Sequence, residues 1–218
     1  MELYLIRHAQ SGNNANPAQR VEDPSLTRLG HQQAARVAER FTSAGITRLF
    51  TSPFRRALET TAYLRQATGL TPEIWIDLHE QGGVMRGTDP ATYVGCAGMT
   101  RDEIRAEFPG YVIPAEIDER GWWKGKPFEG LEAAQTRAER VVQQTIARFA
   151  RSQERVIFVS HGTFIRLLLG AFIGYPILQR NWLGEVWNTA VSTLLITPEQ
   201  VQMTSFNSVC HLPPEWIS

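Results

Sequence analysis

Leu3-Tyr4-Leu5-Ile6-Arg7-His8-Ala9-Gln10-Ser11 decides how the chain is built. Its apolar run reads as a strand covered on both faces, the pattern of a parallel sheet. The strand leads directly into Arg7 and His8. It therefore delivers a cation and an imidazole to the carboxyl edge of the sheet, where open α/β sheets bind ligands. A guanidinium offers a planar fork matched to phosphate oxygens. An imidazole with an unperturbed pKa near ~6.5 can be a neutral nucleophile at physiological pH. On its own the pair also fits a hydrogen-bonded structural histidine, so the rest of the chain must decide.

Working outward, Ser11 to Pro24 is rich in Asn, Gly and Pro and reads as a loop wrapping the strand end. Leu26-Thr27-Arg28-Leu29-Gly30 opens a helix with Ala34, Val37, Ala38 and Phe41 on one face and Gly45 at its end. Leu49 to Thr51 is a short strand. A helix follows, capped by Ser52 with Pro53 in its first turn, carrying Arg55 and Arg56 and ending near Gly69. Ile74 to Leu78 predicts a third strand leading to Glu80. Leu131 to Ala150 is a long helix with Ala138, Val142, Ile146 and Phe149 on one face. Val156 to Val159 reads as a central strand ending in Ser160-His161-Gly162, followed by a helix over Ile165–Phe172 and strands over Val191–Ile196 and Val201–Phe206. The expected fold is α/β in three layers, with a mostly parallel central sheet flanked by helices.

Length and composition agree. The 218 residues suit a single domain, 1–218, and 43% hydrophobic with 20% charged residues is ordinary for a globular chain. The 22 basic and 22 acidic residues cancel, which argues against a nucleic-acid partner. No stretch approaches ~18 apolar residues, so no membrane span or signal peptide is expected and cytoplasm is the default. Cys96 and Cys210 are far apart and show no metal-type spacing.

Four predicted strand ends thus carry Arg7 and His8, Ser52 to Arg56, Glu80 and His161. Together they supply what phosphoryl transfer through a phosphohistidine needs. Arg7, Arg56, Asn14 and His161 can hold the phosphate, His8 can attack in line, and Glu80 can protonate the leaving alkoxide. No step requires a metal or another cofactor. Glu73, Asp77, Asp89 and Glu103 compete with Glu80 for the carboxylate role.

These residues resemble the histidine phosphatase superfamily, in its phosphoglycerate-mutase-like branch. The resemblance rests on Leu5 to Ser11 with Asn14, Leu26 to Gly30 with Gln33-Ala34, Ser52 to Ala57 with Thr60, and Ser160-His161-Gly162. It spans residues 1 to about 80 and 130 to 200. It implies His8 as the phosphorylated nucleophile, Arg7, Arg56 and His161 as the phosphate pocket, Asn14 as a further phosphate contact and Glu80 as the proton donor. The family's Arg precedes an Ala, which selects Arg56, and a residue turned ~100° away on a helix puts Arg55 elsewhere. Ala9 stands where the family more often has Gly, and Gln10 where Glu is common.

The implied enzyme is a metal-independent phosphomonoester hydrolase acting on a small phosphorylated metabolite. A phosphoglycerate mutase is the enzymatic alternative and a phosphate-ligand-binding module the non-enzymatic one. Retaining a bisphosphorylated intermediate needs extra cations over the pocket, and the insertion at about 82–128 has nearly balanced charge, which favours hydrolysis. This insertion is expected to act as a lid, with Arg86, Trp122, Trp123 and Lys124 as candidate specificity residues. For the two tryptophans, packing onto the body is an equal alternative. His31 sits on a helix among Gln residues, His79 is positioned to flank the site, and Cys210-His211 has ligand types without partner spacing, so none is assigned a role.

Overall fold

The computed structural model describes residues 1–87, 92–174 and 183–218. Its centre is a six-stranded sheet built on β1 (Glu2–Arg7), β2 (Arg48–Thr51), β3 (Glu73–Ile74), β6 (Arg155–Ser160), β7 (Val191–Ile196) and β8 (Val201–Ser208), in the order β3-β2-β6-β1-β7-β8. The first four pair in parallel, while β7 runs antiparallel to both β1 and β8. Side chains alternate along a strand, so β1 feeds two cores. Leu3 and Leu5 join α5 (Leu131–Phe149) and α6 (Gly162–Ile173) on one face. Tyr4 and Ile6 join α2 (Arg28–Glu39) and α3 (Arg55–Thr68) on the other.

Several boundaries move, each for a local reason. The loop after Ser11 contains one helical turn, α1 (Gly12–Ala15), closed by hydrogen bonds between Ser11 and Asn14. Helix α2 is capped by Thr27 as its hydroxyl accepts from Gly30 N–H, but it ends at Glu39, with turns running on to Gly45. Gly30 is required there by close approach, since a Cβ would stand 2.0 Å from the Gln10 carbonyl oxygen. Ser52 does not cap α3. That helix begins at Arg55, and the Ser52 hydroxyl sits against His161. Gly69 ends α3 in the left-handed conformation, as its sequence position predicts. The third strand is only two residues long, and Ile76–Leu78 is a 3-10 turn. On α5, Ile146 is exposed; the buried face instead includes Arg137, which pairs with Glu129 at 2.5 Å and donates to the carbonyls of Asp77 and His79.

Residues 82–128 carry the strand pair β4 (Met85–Arg86) and β5 (Val94–Gly95) and the capped helix α4 (Arg101–Glu107). They pack Val84, Met99, Ile104, Phe108, Trp122 and Trp123 onto the α2 and α3 face. Among the described residues no helix is long and apolar enough to cross a membrane. Asp89 lies outside the described residues.

Candidate active site

The end of β1 divides its two functional side chains between the faces of the sheet. Arg7 turns toward the α6 side, where its Nη1 donates to the Val186 carbonyl and its buried Nε has no protein partner. His8 turns toward α3. Its Nδ1 lies 2.7 Å from the Ala9 carbonyl oxygen. A carbonyl only accepts, so Nδ1 carries the proton and Nε2 keeps its lone pair. Arg56, in the first turn of α3, donates from Nε to that Nε2 at 3.2 Å. Burial, with the adjacent charges of Arg56 and Arg7, pushes the His8 pKa well below the ordinary range, so the ring is neutral.

The other strand ends converge on the same place. His161, at the end of β6, is fully buried with its ring 5.0 Å from that of His8, and its Nε2 is 2.7 Å from Ser52 Oγ. Its Nδ1 has no protein partner. Glu80 follows the 3-10 turn and reaches the N-terminus of α6, accepting from the N–H groups of Gln81, Thr163 and Phe164 at 2.9, 3.2 and 3.0 Å. Asn14 Oδ1 accepts from Ser11 and from Asn188 Nδ2, and Asn188 also donates to the His8 carbonyl. A cavity of about 380 Å³ is lined by Arg7, His8, Asn14, Arg56 and Glu80, with Arg20, Phe54 and Thr163 beside them. His161 lies against His8 and Phe54 without lining that cavity.

Three charged residues at the site are not singled out by the sequence, Arg20 and Glu22 on the cavity lining and Asp23 behind Arg56. Asp23 is nearly buried, 3.6 Å from Arg56 Nη1, and burial pushes its carboxyl up to about 6 despite that cation. Its signal is only positional, an acid just before Leu26-Thr27, in a loop whose destination no local pattern reveals. Thr163 and Asn188 were likewise missed, because each acts through contacts far away in sequence.

The buried imidazoles make stability depend on pH. Burial lowers the pKa of His8, His79 and His161, so below their unfolded value of ~6.5 the unfolded chain binds protons that the folded chain refuses. Their contribution is present above pH ~6.5 and lost as pH falls. Asp23 acts oppositely, because its raised pKa of about 6 favours the folded state as pH falls from 6 toward its ordinary 3.8. With the three imidazoles and that of His211, which burial lowers to about 4, set against one carboxyl, the urea midpoint should fall between pH ~6.5 and ~5. A midpoint that rises on acidification over this interval would contradict the neutral, buried assignment.

A family model described as histidine phosphatase superfamily, branch 1, matches residues 3–209. The chain belongs to the histidine phosphatase superfamily. It is 30% identical over 197 residues to the glucosyl-3-phosphoglycerate phosphatase of Mycolicibacterium vanbaalenii, covering 86% of this chain and 81% of the relative. It is 40% identical over 178 residues to a probable phosphoglycerate mutase GpmB of Proteus mirabilis, covering 81% and 76%. The solved structure of Bacillus stearothermophilus YhfR matches its fold with a TM-score of 0.68 at 24% identity, over 96% of this chain and 98% of that one.

This histidine phosphatase's family match runs through residues 82–128, which the sequence motifs alone leave uncovered. Of the carboxylates open in the sequence, Glu80 lines the cavity. Glu103 caps α4, Glu73 lies on β3 and Asp77 pairs with Arg140. Arg55 pairs with Glu107, away from His8.

The candidate specificity residues require correction. Trp122 and Trp123, 1% and 5% exposed, belong to the core and do not line the cavity, because the insertion folds their rings inward against Phe54 and His79. Lys124 pairs with Asp118 and Arg86 with Glu22, and neither cation lines the cavity. Gln10 turns its amide oxygen to the Thr27 hydroxyl at 2.7 Å, joining the loop to the start of α2. His31 contacts Tyr63, and His211 contacts Thr189. Among the described residues no group of three or more His, Cys, Asp or Glu side chains is placed to hold a metal ion.

Proposed function

We propose that this member of the family hydrolyses phosphomonoesters in two steps, with His8 Nε2 as the atom that takes the phosphoryl group. The neutral imidazole supports this most directly, with its Nε2 lone pair held by the Arg56 guanidinium at the cavity that Arg7 also lines. Arg7, Arg56 and Asn14 bind the phosphoryl oxygens, and the unpaired His161 Nδ1 supplies a further donor. In the first step the N–P bond forms as the ester P–O bond breaks, and Glu80 gives its proton to the leaving oxygen. In the second, Glu80 takes a proton from water, whose oxygen attacks phosphorus and releases His8 and inorganic phosphate. Each turnover thus consumes one water and returns Glu80 to its protonated form.

The substrate is a small phosphorylated metabolite, by analogy with the relative named for glucosyl-3-phosphoglycerate. The chain acts as one domain, 1–218, in the cytoplasm, with the flanks of the 82–128 insertion forming the cavity rim. Gly82, Gly83, Met85, Gly87, Tyr93 and Phe128 supply that rim.

A relative named as a probable mutase makes product analysis the decisive assay. With 3-phosphoglycerate in a panel of phosphomonoesters, inorganic phosphate should accumulate and 2-phosphoglycerate should not. Accumulation of 2-phosphoglycerate would make the protein a mutase. Release of phosphate from no ester would leave only binding. For Glu80, the Gln variant should slow phosphorylation by alkyl phosphates at least ~10²-fold, and by aryl phosphates far less, since only the former need the proton. Equal losses in pre-steady-state measurements would give the role to another group.

A further inference from the structure

Beyond the phosphate end, the cavity changes character. Phe128 and Tyr93 stand on its rim with ring centroids 5.5 Å apart, and Val21 and Met85 also line the cavity. Phe128 is 42% and Val21 58% exposed, so apolar surface faces open solvent at the site itself. Both are held from behind. The Glu129 N–H donates to the Gly82 carbonyl and the Gln81 amide to the Glu129 carbonyl, which fixes Phe128 beside the turn that carries Glu80. Gly82 permits this contact, because a Cβ there would lie 2.7 Å from the Phe128 ring. Asn13 bonds both backbone polar groups of Val21, at 2.8 and 2.9 Å, leaving its side chain to the rim.

The insertion's cations are engaged elsewhere. Arg86 pairs with Glu22, Arg105 with Asp102, and Arg120 and Lys124 with Asp118. Arg101 donates to the carbonyls of Ile113, Pro114 and Ile117, and Lys126 lies over Trp123. None of the six lines the cavity. Arg20 does line it, as the loop residue that precedes Val21.

We propose that Phe128 and Tyr93, with Val21 and Met85, form a leaving-group subsite that selects phosphomonoesters of flat, uncharged, apolar alcohols over esters of small polar alcohols. The proposal rests on the phosphatase reading and adds the substrate class to it. The leaving oxygen departs beside Glu80, and Phe128 is fixed next to Glu80, so the organic group is laid on the aromatic wall as the bond breaks. Burying such a group against two rings is favourable, while a small polar alcohol there would lose water and cover little of the rings.

The test compares 2-naphthylmethyl phosphate with 3-phosphoglycerate. Both are esters of alcohols, which keeps the proton requirement similar. Glycerol 3-phosphate and 4-nitrophenyl phosphate serve as controls. Wild-type kcat/KM should favour the naphthylmethyl ester at least about tenfold. Phe128→Ala and Tyr93→Ala should each lower kcat/KM for that ester about 10- to 30-fold, chiefly through KM, with less than a threefold change for 3-phosphoglycerate. Phe128→Leu should recover part of the loss, and thermal melting should confirm that each variant is folded. Preference for 3-phosphoglycerate, or equal losses on both esters, overturns the subsite while phosphate release keeps the phosphatase reading. Release from none of the four esters overturns that reading and the subsite with it.

Discussion

His8→Ala should lower kcat/KM at least about 10³-fold, or about 4 kcal/mol on the barrier, with little change in melting temperature. The rate effect follows from what remains without the imidazole. Arg7, Arg56 and Asn14 still hold a phosphate, and Glu80 still stands at α6, so ground-state binding persists. The atom that divides one difficult displacement into two easier ones is gone. Water would then have to attack a phosphoryl group in a cavity arranged for a fixed nitrogen. KM should therefore change far less than kcat. Stability should hold because the Arg56 Nε released by the deletion lies at the cavity, where water can replace the ring as its acceptor. A variant within tenfold of wild type on several esters would remove His8 from the reaction path.

Trp122→Ala should cost about 3 to 5 kcal/mol of stability, a drop in melting temperature on the order of 10 °C for a chain of this size. Trp122 is 1% exposed and meets Phe54 edge-on at 4.9 Å, with Trp123 and His79 at 5.7 and 5.4 Å. Removing it opens a cavity where the insertion joins the α2 and α3 face, and the surrounding backbone cannot collapse fully into it. Phe54 would also lose a support, and Phe54 lies under the Arg56 guanidinium at 4.0 Å and against His161 at 4.9 Å. Some loss of kcat should accompany the instability. The ranking of substrates should stay as in wild type, because the indole does not line the cavity. A changed ranking with an unchanged melting temperature would place Trp122 at the substrate instead.

These contrasts show which features were legible in the sequence. The buried run of β1 and the Gly69 terminus are local devices, and each appears where its residues predict. Arg7, His8, Asn14, Arg56 and Glu80, which meet at one cavity, belong to segments that each carry their own polar signature. What escaped depends on long-range contacts. Ser52 has the chemistry of a helix cap, yet its hydroxyl is claimed by His161, over a hundred positions away in the chain. Asp23 looks like an ordinary loop acid until α3 closes over it beside Arg56. Trp122 and Trp123 lie between glycines, which suggests a mobile lid. The fold turns them inward and leaves Tyr93 and Phe128 at the rim, which nothing in their neighbouring residues indicates.

The central claim is that phosphate passes through His8, and trapping the intermediate tests it most directly. The enzyme would be mixed with a phosphomonoester labelled in its phosphate, quenched in alkali within the first turnover, digested, and the labelled peptide sequenced by mass spectrometry. A parallel portion would be held in acid, with His8→Ala as the blank. The account predicts label on the peptide that contains His8, stable to alkali, lost in acid and absent from the variant. Label on a different residue, an acid-stable adduct, or turnover with no covalent phosphate in the burst phase would contradict it.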